Sequence, residues 1–142
     1  MKIAIGSDHA GFELKEQLIA YLNEKKIEVN NKGCYSLDRV DYPDFGHAVA
    51  ISVLSKEVDF GILICGSGNG VNITANKHQG IRSGLAWNAE VASLIRQHNN
   101  ANIIALPARF ITIELAIECV DVFLKTPFEG GRHQTRVDKI SC

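Results

Sequence analysis

Short apolar runs alternate along this chain with longer stretches in which apolar residues recur at helical spacing. Lys2–Gly6 predicts a first strand, and Ala10–Lys26 carries Phe12, Leu14, Leu18, Ile19 and Leu22 in a helical pattern. Ile27–Asn30 predicts a weaker second strand, and Asn31–Pro43 is a polar loop ahead of a helix from about Asp44 to Lys56. Val58–Cys65 is nearly all apolar, as a strand covered on both faces of a parallel sheet should be. A short helix around Val71–Lys77, a strand over Ile81–Ala86 and a helix over Ala89–His98 follow. Asn102–Leu106 predicts a fifth strand and Thr112–Leu124 a long amphipathic helix, before Gly130–Gly131 break the chain ahead of a basic tail, residues 130–142.

Strand–helix alternation with crossovers of this length predicts a three-layer α/β/α, Rossmann-like fold: a five-stranded parallel sheet with helices on both faces. A length of 142 residues fits one domain, and no internal repeat or low-complexity stretch divides it. In such sheets ligands sit beyond the carboxyl ends of the strands. That rule selects Ser7–Gly11, Gly66–Gly70 and Pro107–Phe110.

Composition narrows the function. An apolar fraction of 46% excludes intrinsic disorder. With 15 Lys+Arg against 16 Asp+Glu, nothing bulk-electrostatic would hold a nucleic acid or a membrane surface, so any anion is recognised locally. No stretch approaches the ~20 apolar residues of a membrane helix, and the N-terminal run ending at Asp8 is too short for a secretory segment. Cys34, Cys65, Cys119 and Cys142 lie far apart with no C-x-x-C pair, so reduced thiols and a cytoplasmic location are expected.

Cys65-Gly66-Ser67-Gly68-Asn69-Gly70 stands between a buried strand and a helix, where backbone N–H groups converge on an anion and a helix dipole adds to the field. A Walker A loop would need Lys-Ser/Thr next. The dinucleotide pattern and a cysteine-phosphatase loop would need Gly and Arg, respectively, where Val71 stands. What remains is an anion hole with a thiol at its edge. A strand-end Cys often simply packs, but this position lowers a thiol pKa, and Cys65 would then serve as nucleophile or base. Asp8 either caps the first helix or joins His9 in the cleft. His98-Asn99-Asn100 either caps a helix or serves a site, and His47 and His78 read as structural or solvated residues without polar company. Arg132 and Arg136, one turn apart if helical, can clamp one phosphate or carboxylate. Proton abstraction alpha to the carbonyl of a phosphorylated substrate is one chemistry that fits these groups.

The strings Gly6-Ser7-Asp8-His9-Ala10-Gly11, Asp41-Tyr42-Pro43-Asp44, Cys65–Gly70 with Ala75-Asn76-Lys77, Arg96-Gln97-His98-Asn99-Asn100 and Gly131–Arg136 together resemble type B ribose-5-phosphate isomerases, of the ribose/galactose-6-phosphate isomerase superfamily. The resemblance spans essentially the whole chain in order. It implies interconversion of ribose 5-phosphate and ribulose 5-phosphate through an enediolate, in the non-oxidative pentose phosphate pathway, with no metal or other cofactor. By that resemblance Cys65 is the base, Ser67 bonds the reacting oxygens, and the N–H groups of Gly66, Gly68, Asn69 and Gly70 form the anion hole. His98 opens the furanose ring, Asp8 and Asn99 grip hydroxyls, Tyr42 lies near the sugar, and His9, Arg109, Arg132 and Arg136 surround the phosphate. Relatives that lack the cysteine use a glutamate where Val71 stands, so the chain resembles the cysteine subtype. The resemblance also implies a homodimer, or a pair of dimers, with the tail reaching a site shared between subunits. Two alternatives stay open: an isomerase of allose or galactose 6-phosphate, decided by cleft depth near Tyr42 and Trp87, and a non-catalytic sugar-phosphate-binding module.

Overall fold

Successive side chains of a strand point to opposite faces of its sheet, and here both sets are apolar. Ile3, Ile5, Ile62, Ile64, Ile104 and Leu106 are buried on one face, and Ala4, Leu63, Cys65, Ile103 and Ala105 on the other. Such a sheet has to be covered twice. Burying one Ile or Leu contributes roughly 1.5–3 kcal/mol over leaving it exposed, which is what recruits the covering helices.

The computed structural model describes residues 1–141, and Cys142 lies outside the described residues. The elements run β1 (Lys2–Ser7), α1 (Phe12–Glu24), β2 (Glu28–Asn31), α2 (Tyr42–Leu54), β3 (Phe60–Cys65), α3 (Asn69–Ala75), β4 (Ser83–Leu85), α4 (Ala89–Gln97), β5 (Ile103–Pro107), α5 (Ile113–Lys125) and α6 (Arg132–Asp138). All five strands are parallel, in the order β2-β1-β3-β5-β4. Leu14, Leu18 and Leu22 of α1, Ala92 and Ile95 of α4, and Cys119, Val120 and Phe123 of α5 cover the first face. Val49, Ala50 and Val53 of α2 with Val71 and Ala75 of α3 cover the second. This is the expected three-layer α/β/α, Rossmann-like architecture.

Several boundaries differ from expectation for local reasons. α2 starts at Tyr42, not Asp44, because Pro43 sits comfortably in a first turn whose N–H groups have no helical partner anyway. β4 shrinks to three residues at the sheet edge, while Ile81 turns into the core between α2 and α3. The basic tail folds as α6, which puts Arg132 and Arg136 one turn apart as expected. Among the described residues no helix is long and apolar enough to cross a membrane.

Candidate active site

The strand order reverses direction between β1 and β3, and the chain beyond their carboxyl ends diverges to leave a crevice. Asp8 follows β1 and Cys65 ends β3. Three backbone bonds stitch the loops together: Asp8 N–H donates to the Ile64 carbonyl at 3.2 Å, Ala108 N–H to Cys65 at 2.9 Å, and Arg109 N–H to Gly66 at 3.0 Å. The three segments selected from the sequence therefore meet at one place.

A cavity of about 420 Å³ opens there, lined by Asp8, His9, Tyr42, Cys65, Gly66, Ser67, Gly70 and Arg109, with Ala10 and Phe110. Cys65 is only 4% exposed and belongs to the core beneath α2 and α3, yet it also faces this cavity, so packing and site coexist in one side chain. The same duality holds for Asp8. One carboxylate oxygen accepts the Gly11 N–H at 3.1 Å, just before α1, and the residue still lines the cavity.

The glycines of the loop are required by geometry. Gly68 has φ +75°, and a Cβ there would meet Leu85 Cδ1 at 2.5 Å and the Leu106 carbonyl carbon at 3.1 Å. A Cβ on Gly70 would stand 2.8 Å from the Tyr42 ring, so Tyr42 can lie against the loop only because Gly70 has no side chain. Ser67 Oγ accepts the Asn69 N–H at 3.3 Å, which leaves its own proton to donate. The helix behind the loop has only seven residues, so the anion hole expected there would rest chiefly on the loop N–H groups, with little from the helix dipole. His9 Nδ1 accepts the Val40 N–H at 3.3 Å, which places the ring proton on Nε2.

The remaining candidates gather elsewhere. His98, Asn99, Arg132 and Arg136 line a second cavity of about 500 Å³ with His133, Val137 and Ile140, and no residue lines both cavities. The backbone of His98 does cap α4, donating to the Leu94 carbonyl at 2.9 Å, while its ring stacks on His133 at 4.2 Å and 12° between planes. Arg136 Nη1 donates to the Arg132 carbonyl at 3.0 Å, which fixes the pair on one face of α6. Trp87 is half exposed and lines neither cavity.

His98, Glu129 and His133 carry potential metal ligands within 4.8 Å of one another. The stacked rings, however, lie 4.2 Å apart in planes only 12° from parallel, so no single ion can lie in both ring planes, where imidazole lone pairs point. Sequence reasoning left His133 out of the site. Its signal was a histidine flanked by arginines in a tail that would otherwise be solvated, and it is buried, with Nε2 3.3 Å from Glu129 Oε2. Sequence reasoning also left His47 and His78 without polar company. In the fold, His47 Nδ1 lies 2.7 Å from His78 Nε2, a contact between two elements that local pattern does not reveal.

Residues 3–140 match the family model described as Ribose/Galactose Isomerase. The chain belongs to the ribose/galactose isomerase family. Among curated members of this family, ribose-5-phosphate isomerase B of Escherichia coli strain K12 is 48% identical over 141 residues, covering 99% of this chain and 95% of that protein. A crystal structure of a ribose 5-phosphate isomerase from Thermotoga maritima superposes with a TM-score of 0.97 at 56% identity, covering 99% of this chain and 97% of that one. The isomerase B of Mycoplasma genitalium, crystallised with bound ribulose-5-phosphate, superposes with a TM-score of 0.93 at 46% identity, over 98% of this chain and 93% of that one.

Proposed function

We propose that this family member is a type B ribose-5-phosphate isomerase that interconverts D-ribose 5-phosphate and D-ribulose 5-phosphate, as in the non-oxidative pentose phosphate pathway. The observation that carries the reading is the meeting of the Cys65 thiol, the Ser67 hydroxyl, the Asp8 carboxylate and the glycine-loop N–H groups in one cavity at the sheet's switch point. The relative crystallised with ribulose-5-phosphate supports the choice of substrate.

The Cys65 thiolate takes the C2 proton of the open aldose and returns it to C1, while the C2 hydroxyl proton passes to O1. Charge develops on the two oxygens of the enediolate, and the N–H groups of Gly66, Gly68, Asn69 and Gly70 with Ser67 Oγ stabilise it where it appears. Before that step His98 moves a proton from the anomeric hydroxyl to the ring oxygen, which opens the furanose. Asp8 and Asn99 hold hydroxyls, Tyr42 bounds the sugar, and His9, Arg109, Arg132 and Arg136 surround the phosphate. No step assigned to these residues needs a metal or an organic cofactor.

This division of labour spans two cavities that no residue shares. The proposal therefore includes a homodimer in which α6 and the α4 end of one subunit cover the Cys65 cavity of the other. Residues 1–142 act as a single isomerase domain, with the 130–142 tail reaching the partner. A cytoplasmic location belongs to the same reading, supported by free thiols at Cys34, Cys65 and Cys119.

The test is formation of ribulose 5-phosphate from ribose 5-phosphate, with chelator present, by wild type and Cys65→Ala. Wild-type turnover that survives chelation and disappears in a folded Cys65→Ala protein is the expected result. Wild-type inactivity, with turnover of allose or galactose 6-phosphate instead, would replace the substrate. Sugar-phosphate binding without any turnover would leave a binding module.

A further inference from the structure

The turn that presents His98 and Asn99 closes α4 with backbone bonds of its own, Asn100 N–H to the Arg96 carbonyl at 3.1 Å and Ala101 N–H to the Ile95 carbonyl at 3.0 Å. α4 ends at Gln97, and Asn100 takes φ +47°, the left-handed conformation that asparagine readily adopts just past a helix C-terminus. The carbonyls of this turn lie just past a helix C-terminus, where they have no helical partner and carry the negative end of the dipole.

Two arginines converge on them. Arg82 shares its single Nε–H between the carbonyls of Asn99 and Asn100, each at 3.0 Å. The Arg82 backbone is fixed in turn against Asn102, donating to its Oδ1 at 2.9 Å and accepting its N–H at 2.9 Å. From the other side, Arg96 Nη1 donates to Asn100 Oδ1 at 3.1 Å and to the Ala101 carbonyl at 2.6 Å, while its Nε reaches the Thr126 carbonyl at 3.2 Å. The Arg96 guanidinium also packs 5.0 Å from the Phe60 ring and 5.8 Å from that of Phe123.

Among the described residues neither arginine has a carboxylate within salt-bridge distance. Burial, and after it the charge of Arg82, hold the Arg96 pKa below its ordinary range, so the two cations stand close enough to repel. Placing two unpaired guanidinium groups together is unfavourable unless their hydrogen bonds do something the fold needs. Every one of those bonds ends on the turn after α4 or on the chain segment beside it.

We propose that Arg82 is a positioning residue for His98 and Asn99. By holding the carbonyls of Asn99 and Asn100, it sets the direction in which both side chains enter the second cavity, with Arg96 bracing the turn from behind. The proposal rests on the reading of His98 as the ring-opening group.

The test compares Arg82→Gln, Arg82→Lys and His98→Asn by two readouts. Turnover of ribose 5-phosphate requires ring opening. Deuterium uptake from D2O at C1 of ribulose 5-phosphate does not, because esterification of its 5-oxygen keeps that sugar open, so only proton removal by Cys65 is needed. Misplacing His98 should cost Arg82→Gln about tenfold or more in turnover, while exchange, measured with ribulose 5-phosphate saturating so that a looser Asn99 grip is offset, changes less than about twofold. Arg82→Lys, which restores a donor without the rigid fork, should fall between wild type and Arg82→Gln. If Arg82→Gln does not fold, Arg82→Lys is read by the same two measurements and should show a smaller split. If His98→Asn shows the split and the Arg82 variants do not, the positioning role is overturned. If His98→Asn loses both signals equally, the ring-opening reading fails and the positioning role falls with it.

Discussion

The guanidinium of Arg109 faces Gly66: a Cβ on Gly66 would lie 3.2 Å from its Nε, Cζ and Nη1 alike. The glycine thus gives the guanidinium a resting place against the loop, and both line the same cavity. Gly66→Ala should push the flexible end of Arg109 aside by a few tenths of an ångström without unfolding the protein. The expected outcome is a several-fold higher KM with kcat little changed, because a phosphate contact remote from the reacting carbon is made equally in ground and transition states. A fall in kcat alone would show that Arg109 touches the reacting end.

The separation of Cys65 from His98 into two cavities makes a prediction that no single-subunit site shares. Cys65→Ala and His98→Asn proteins should each be nearly inactive in turnover of ribose 5-phosphate. When they are mixed and allowed to exchange subunits, half of the dimers become mixed, and each mixed dimer regains one intact site of two. Activity should therefore rise to about a quarter of wild type for equal, random exchange. Mixing without any recovery, in samples shown by mass spectrometry to contain mixed dimers, would place each complete site within one chain.

Alkaline pH probes a contact far from either cavity. Tyr21 donates its hydroxyl to Asp121 Oδ2 at 2.6 Å, tying α1 to α5. That hydrogen bond, then burial, then the charge of the carboxylate push the Tyr21 pKa up to about 12. An unfolded tyrosine ionises near pH ~10. The folded state thus keeps a proton the unfolded state releases, and the resulting stability is complete below about pH 10 and lost as pH rises toward 12. Denaturant midpoints measured between pH 9 and 11.5 should fall less steeply for Tyr21→Phe than for wild type. Parallel curves would mean that the bond to Asp121 does not persist in solution.

How much of this was legible in the sequence depends on how local each cause is. The apolar run ending at Cys65 announced a strand covered on both faces, and the loops beyond β1, β3 and β5 were located by the fold class alone. Arg132 and Arg136 were paired correctly because helical periodicity is a local property. Lys15 was invisible: it occupies a charged position of an amphipathic helix, yet it is fully buried against Asn31 and Glu16. Arg82 and Arg96 were passed over for the same reason, since their partners are backbone carbonyls that every sequence possesses. The division of the candidates between two cavities was no more readable, because it depends on how α6 folds back beside α4.

The side-by-side pairing of β1, β3 and β5 at the centre of the sheet fixes one cavity, and α6 lines the other. If substrate is gripped by both, through a neighbouring subunit, then saturation and assembly are thermodynamically linked: each bound sugar phosphate makes subunit dissociation less favourable. The metabolite would then serve as a glue as well as a reactant. Dilution would silence the chain without unfolding it, and a supply of substrate would restore activity by mass action.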